Sequence, residues 1–325
     1  MRKAIAAVRG AVAGAASLRW LRRRNEDIAW QSAHPPGRIV DVEGIPIHIV
    51  ERGSGPNAAV LIHGFLGHTY SFRYLIPELA RDQRVVAVDL KGSGYSGRPN
   101  KGDYSLSEQA RVVMRLMDKL GIDRASVVGH SLGGEVAMRM AVNSPERVDK
   151  LVLASSVSGD RIPTLPVTPL IKPILWLIGR LFGRRIFRRQ FYDPRKATKD
   201  VLEAYRRPLR IKGTGHAVYQ TLRDMRREKA VDSSRIVAPV LILWASHERI
   251  LPRWVLSRLR KRFRRAEVIT IERAGHLLLE GTRSRRSSRS PSGSGTSRMA
   301  LANQSRRDAR KACLSPTNHG PCRSS

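Results

Sequence analysis

The stretch Val128–Ala137, VGHSLGGEVA, constrains this chain more than any other. Upstream, RASVV has the β-branched composition of a short buried strand. Downstream, EVAMRMAV repeats apolar residues at helical spacing, with Val136, Met140 and Ala141 on one face. Ser131 therefore falls on a tight turn from strand to helix, with Gly129 and Gly133 two residues to either side. A side chain at either glycine would collide with neighbouring backbone in so sharp a bend. The turn presents the serine hydroxyl at the strand's C-terminal end, in front of a helix N-terminus. That is a nucleophile's position, although the same pattern also serves as an ordinary strand–turn–helix connection.

The order of elements around this turn points to an α/β fold. RIVDVEG and IPIHIVERG read as a hairpin turning at Glu43-Gly44. AAVLIHG and RVVAVDL are continuous apolar runs, as expected of strands buried on both faces of a parallel sheet, with FRYLIPELA between them as a helix. LSEQARVVMRLMDKLG is an amphipathic helix ending at Gly121, and RVDKLVLASS is a further strand. The alternation then breaks for about 80 residues and resumes with strand APVLILWAS, helix PRWVLSRLRKRF and strand AEVITIE. The chain thus divides into a basic lead-in (1–36), a first core part (37–156), a helical insertion (157–235), a second core part (236–280) and a tail (281–325). The expected architecture is a mostly parallel, helix-covered sheet, with the insertion as a lid over its C-terminal edge.

Other stretches fall where a serine nucleophile on such a sheet needs them. In HGF (His63, Gly64, Phe65) the backbone N–H of Phe65, with that of Leu132, can face a developing oxyanion. The loop DLKGSGYSG, Asp89 to Gly97, passes close to the turn in a structural role. ILWASHERILP sets Glu248 just beyond a strand, and ERAGHLLLE sets His276 just beyond the last one. Together they complete the chain order Ser, acid, His.

With these motifs in place, the chain resembles an α/β-hydrolase of the esterase, lipase and epoxide-hydrolase-like branch, over roughly Gly37 to Glu280. The resemblance implies Ser131 as nucleophile, His276 as base, Glu248 as acid, and the amides of Phe65 and Leu132 as oxyanion donors. Three departures stand out. The family's W-G-x-x-D becomes Trp244, Ala245, Ser246, His247, Glu248, so the carboxylate carries an extra methylene; Asp160, beyond the preceding strand, is the second candidate for the acid. Lys91 replaces a common proline, read as loop variation. After Glu280 a closing helix is expected, but a Ser-, Arg-, Gly- and Pro-rich tail follows, which reads as disordered and resembles out-of-frame translation.

The resemblance also bears on the reaction. The epoxide-hydrolase and dehalogenase chemistries of this branch use an aspartate at the turn, so a serine implies attack on an acyl carbon and an acyl-enzyme. Carboxylic ester hydrolysis leads; thioester hydrolysis, acyl transfer and carbon–carbon bond hydrolysis share the same machinery. No metal or organic cofactor is called for, and the expected partner is an apolar small-molecule acyl substrate. A net charge of +33 raises a rival reading as a membrane- or nucleic-acid-binding protein, and an inactive hydrolase-like chain is a third. The charge concentrates outside the sheet, at about +5 in Met1–Trp30, +12 in Asp160–Arg235 and +9 in Gly281–Ser325. With no nucleic-acid-binding motif, a cytoplasmic chain with peripheral contact to anionic membrane is expected rather than specific nucleic-acid binding. In the insertion, Ile174, Leu177, Ile178 and Leu181 form an apolar face beside Arg180, Arg184 and Arg188. The two cysteines, Cys313 and Cys322, lie in the tail and support no disulfide framework or metal spacing.

Overall fold

The computed structural model describes residues 26–33, 35–160 and 183–280. The hairpin forms as expected. Strands β1 (Arg38–Val42) and β2 (Ile45–Arg52) pair antiparallel with Val42 opposite Ile45. Glu43 and Gly44 both take positive φ, 53° and 80°, as in the two-residue turn whose twist matches that of its strands.

Six further strands lie parallel to one another: β3 (Asn57–Ile62), β4 (Gln83–Val88), β5 (Ala125–His130), β6 (Val148–Ala154), β7 (Val240–Ala245) and β8 (Glu267–Ile271). The sheet order is β1-β2-β4-β3-β5-β6-β7-β8, with β2 antiparallel to β4. From β3 the chain steps to one side for β4 and then to the other for β5. The C-terminal ends of β3 and β5 therefore flank the point where the winding reverses, where open α/β sheets leave a crevice. Alternation along β3 sends Val60 and Ile62 into one apolar cluster and Ala59 and Leu61 into the other, so the sheet is covered on both faces.

The helices follow local chemistry. Helix α1 (Ile76–Leu79) is shorter than the continuous helix expected over FRYLIPELA. Pro77 is the reason: it has no N–H to bond back and its ring would clash with the carbonyl four residues earlier, so the helix begins only at Ile76. Helix α2 (Leu106–Lys119) starts at Ser105, whose Oγ accepts the Glu108 N–H at 3.2 Å, and buries Ala110, Val113 and Met117. Helix α3 (Leu132–Asn143) is buried from Leu132 to Val142, on every side rather than on one face. Helices α4 (Lys199–Leu209) and α5 (Thr214–Met225) belong to the insertion between β6 and β7, which is also helical over 183–189, and α6 (Trp254–Arg262) connects β7 to β8. The face expected at Ile174, Leu177, Ile178 and Leu181 lies outside the described residues, as does the tail from 281.

The end of the expected lead-in is docked onto the insertion. Glu26 accepts the N–H groups of Gly213 and Gly215, Asp27 pairs with Arg210, and Trp30 Nε1–H donates to the Tyr95 carbonyl at 2.8 Å. Lys91 is more than loop variation: it is buried, donates to the Asp103 carbonyl at 2.7 Å and sits over the Tyr104 ring.

Asp89, at the end of β4, anchors the loops on this side of the crevice. Its carboxylate is fully buried and accepts the N–H groups of Thr69 (2.6 Å) and Tyr95 (2.7 Å) and the Nδ1–H of His48 (2.8 Å). The other nitrogen of His48 donates to the Pro36 carbonyl at 2.7 Å, so both ring nitrogens donate and the ring is an imidazolium. Burial opposes both charges, but the bond between them dominates, holding Asp89 well below the usual carboxylate range and raising His48. The depressed Asp89 contributes stability present above the ordinary carboxylate pKa and lost as pH falls through its folded value. The raised His48 contributes stability that is lost as pH rises through its own folded value. Asp89→Ala strands one buried cation and two amides, so we expect urea denaturation to show a loss of about 3–5 kcal/mol; Asp89→Asn should lose less.

Candidate active site

Ser131 lies between β5 and α3 with φ 52° and ψ −119°, a conformation that L side chains rarely adopt. The strain is held from several directions. Its N–H donates to the Ala154 carbonyl at 3.0 Å, and its own carbonyl accepts from Gly134 (3.0 Å) and Val157 (3.3 Å). The glycines are needed for contact between chain segments. A Cβ on Gly133 would land on the carbonyl oxygens of Ile62 and His63, and one on Gly64 would lie 2.8 Å from Ser131 Cβ. The turn is thereby pressed against the segment leaving β3.

His276 Nε2 lies 3.1 Å from Ser131 Oγ, and His276 Nδ1 lies 2.9 Å from Glu248 Oε2. The second oxygen of Glu248 accepts the N–H groups of Ile250 (2.8 Å) and Leu251 (3.1 Å). Burial disfavours the Glu248 charge. The His276 contact and the two amides outweigh it and hold the carboxyl down to about 2. An ionised acceptor fixes the proton on Nδ1 and leaves the Nε2 lone pair facing the serine hydroxyl. The extra methylene of glutamate is accommodated with both carboxylate oxygens in use. The second candidate acid, Asp160, is engaged elsewhere: Arg262 Nη2 donates to it at 2.5 Å and Ser158 Oγ at 2.7 Å.

The amides of Phe65 and Leu132 donate to no acceptor among the described residues, and each directly follows a member of the packed Gly64–Ser131 pair. The loop bearing Phe65 is oriented by His63. Leu90 N–H donates to His63 Nε2 at 3.0 Å, so the ring is neutral and its Nδ1–H donates to the Gly64 carbonyl at 2.7 Å. Burial lowers the His63 pKa in the same sense.

Some supporting residues had no signal of their own in the sequence. His130 Nε2–H donates to the His276 carbonyl at 2.9 Å, and burial holds His130 down to about 3, in the neutral form. Beyond His276, the Leu277 N–H donates to the Gln190 carbonyl, and buried Glu280 pairs with Arg73 and accepts the Tyr205 hydroxyl. The Ser71 hydroxyl in turn donates to the Tyr205 hydroxyl oxygen at 2.9 Å. The sequence offered only a spacing here, with Glu280 four residues after His276; its partners come from α4 and from the segment before α1.

The chain and its fold have relatives among known proteins. The model of the alpha/beta hydrolase fold family fits residues 58–200. An uncharacterized protein of Mycobacterium tuberculosis is 30% identical over 251 residues, covering 71% of this chain and 73% of that one. The chain belongs to the α/β-hydrolase fold family. The pig (Sus scrofa) bifunctional epoxide hydrolase 2 is 38% identical over 145 residues, which are 44% of this chain and 25% of that protein. The acetyltransferase component of the acetoin cleaving system of Cupriavidus necator is 29% identical over 242 residues, 70% of this chain; the chain spans 61% of that relative's length. Among solved structures, 2-hydroxy-6-oxo-6-phenylhexa-2,4-dienoate hydrolase from Rhodococcus sp. strain RHA1 superposes with a TM-score of 0.62 at 25% identity, covering 74% of this chain and 91% of that one. Within this family fold, the Arg73–Glu280–Tyr205 contacts brace the segment after His276. Tyr205→Phe removes one donor and keeps the ring, so thermal unfolding should shift down by roughly 1–3 kcal/mol in stability. A melting curve unchanged from wild type would show that the brace carries no weight.

Proposed function

We propose that this α/β-hydrolase cleaves carboxylic esters through an acyl-enzyme on Ser131. The observation that carries the reading is the continuous chain Ser131 Oγ, His276, Glu248 at 3.1 and 2.9 Å, beside two amides with no acceptor among the described residues. His276 Nε2 takes the serine proton as Oγ adds to the carbonyl carbon, and Glu248 stabilises the imidazolium that forms. The N–H groups of Phe65 and Leu132 receive the oxyanion. The imidazolium then protonates the departing alkoxide. Water, deprotonated by the same histidine, adds to the acyl carbon, and Ser131 leaves to release the acid.

Two features favour an acyl substrate with apolar character. Phe65 and Leu66, on the loop beside Ser131, are 42% and 41% exposed. A serine in place of an aspartate at the turn favours acyl transfer over the reaction named for the epoxide hydrolase relative. Thioester hydrolysis uses the same groups, so the substrate series should include matched oxygen and sulfur esters.

Ser131→Ala should lower kcat on a short p-nitrophenyl ester on the order of 10⁴-fold and abolish labelling by a serine-reactive phosphonate. Glu248→Gln keeps size but loses the charge that fixes the histidine tautomer, and the cost should be about 10⁴-fold, as for the equivalent change in a serine protease. Asp160→Asn should leave kcat within a few-fold, because its carboxylate serves Arg262 and Ser158. Crippled turnover in Asp160→Asn with retention in Glu248→Gln would reassign the acid.

A further inference from the structure

Helix α6 carries a concentration of charge that the reaction does not use. Between Arg253 and Arg265 the chain has seven basic side chains and no acidic one. The helix sorts six of them onto two flanks. Arg258 and Arg262 turn to Asp160, at 3.8 and 2.5 Å. Arg253, Arg260, Lys261 and Arg264 are exposed and have no carboxylate partner among the described residues. Their spacing places them on one face, where, with Leu256 and Ser257, they line an open groove of about 470 Å³. Four like charges without a carboxylate partner on one stripe repel one another at low salt, and a neighbouring anionic surface would relieve that repulsion.

One end of this stripe is apolar. Trp254 is 52% exposed and Ile250 41%, whereas the apolar side chains of the core are buried. Because β7 is parallel to β3, β5 and β6, the segment after it emerges at the same sheet edge as Ser131. Phe65 and Leu66, also exposed, leave β3 at that edge. Exposed tryptophan beside arginine is the pairing suited to a membrane–water boundary, with the ring at headgroup depth and guanidinium groups on lipid phosphates. A polyanion without hydrocarbon would engage the arginines and leave Trp254 and Ile250 in water. A second copy of the same stripe would be repelled.

We propose that the outer face of α6 docks on an anionic phospholipid bilayer, with Trp254 and Ile250 inserted at the boundary and the mouth of the site beside the membrane. The docking does not depend on the ester reading, because it is measured without turnover. The test is co-sedimentation of the full chain with phosphatidylcholine vesicles, with and without phosphatidylglycerol, at low salt. Binding should require phosphatidylglycerol. The combined substitution R253E, R260E, K261E and R264E should lower it at least roughly tenfold, more than R22E, R23E and R24E in the basic lead-in. Vesicles with brominated acyl chains should quench wild-type tryptophan fluorescence, and Trp254→Phe should remove that quenching while keeping an apolar ring. This second arm holds even if the fourfold variant folds poorly. Equal binding of the fourfold variant, or quenching unchanged in Trp254→Phe, overturns the proposal. So does binding to duplex DNA, lost in the fourfold variant, with no binding to anionic vesicles.

Discussion

Three backbone segments meet at Ser131 more closely than side chains allow. The strand β5 must stop, turn and enter α3 within one residue, while the segment leaving β3 crosses directly against the turn. Gly133 lies on the carbonyls of Ile62 and His63, and Gly64 lies on Ser131 itself. If either contact opened by the width of a methyl group, the Phe65 amide would move away from the serine. The positive φ of Ser131 would then lose the bonds to Ala154 and Val157 that hold it. The geometry of every other group in the site is set relative to this crossing, and so is its energetic cost, a strained residue supported by packed neighbours on each side.

The remaining groups reach Ser131 through buried polar contacts. Asp89 gathers Thr69, Tyr95 and His48, and His63 bonds both Leu90 and Gly64, so the loops around the crevice are cross-linked below the site. His276 is held by its ring through Glu248 and by its carbonyl through His130. These bonds restrict the ring to the orientation in which Nε2 meets the hydroxyl, and positioning of that kind is a large part of what a nucleophilic serine requires. The insertion adds to it: Gln190 and Tyr205 bond the segment after His276 and so help to hold that histidine in place.

Charge is handled differently inside and outside. Within the fold, several arginines pair with carboxylates, as Arg139 does with Glu135 and Glu228, and Arg262 with Asp160. Composition alone could not say where the excess charge gathers into a face. The lead-in, the insertion and the tail hold the largest counts, yet α6 is where described basic side chains align beside exposed apolar ones.

Much of the fold and the core of the site could be read from local pattern. Strands buried on both faces are continuous apolar runs, a two-residue turn demands positive φ, and a nucleophile turn demands glycines, so the hairpin, the parallel strands and the Ser131 turn were legible. Glu248 and His276 were legible as strand-end positions, because strands of a parallel sheet all deliver their ends to one edge. Pattern failed where partners are distant in the chain. The roles of His130, Tyr205 and Glu280 arise between segments up to 207 residues apart, from Arg73 to Glu280. The sequence by itself determined which residue types stand at the ends of which strands, since sterics and periodicity act over a few neighbours. Only the tertiary structure decided which of those ends meet, which carboxylate is free for the histidine and which arginines are left facing outward, because hydrogen bonds and ion pairs are settled by proximity in space.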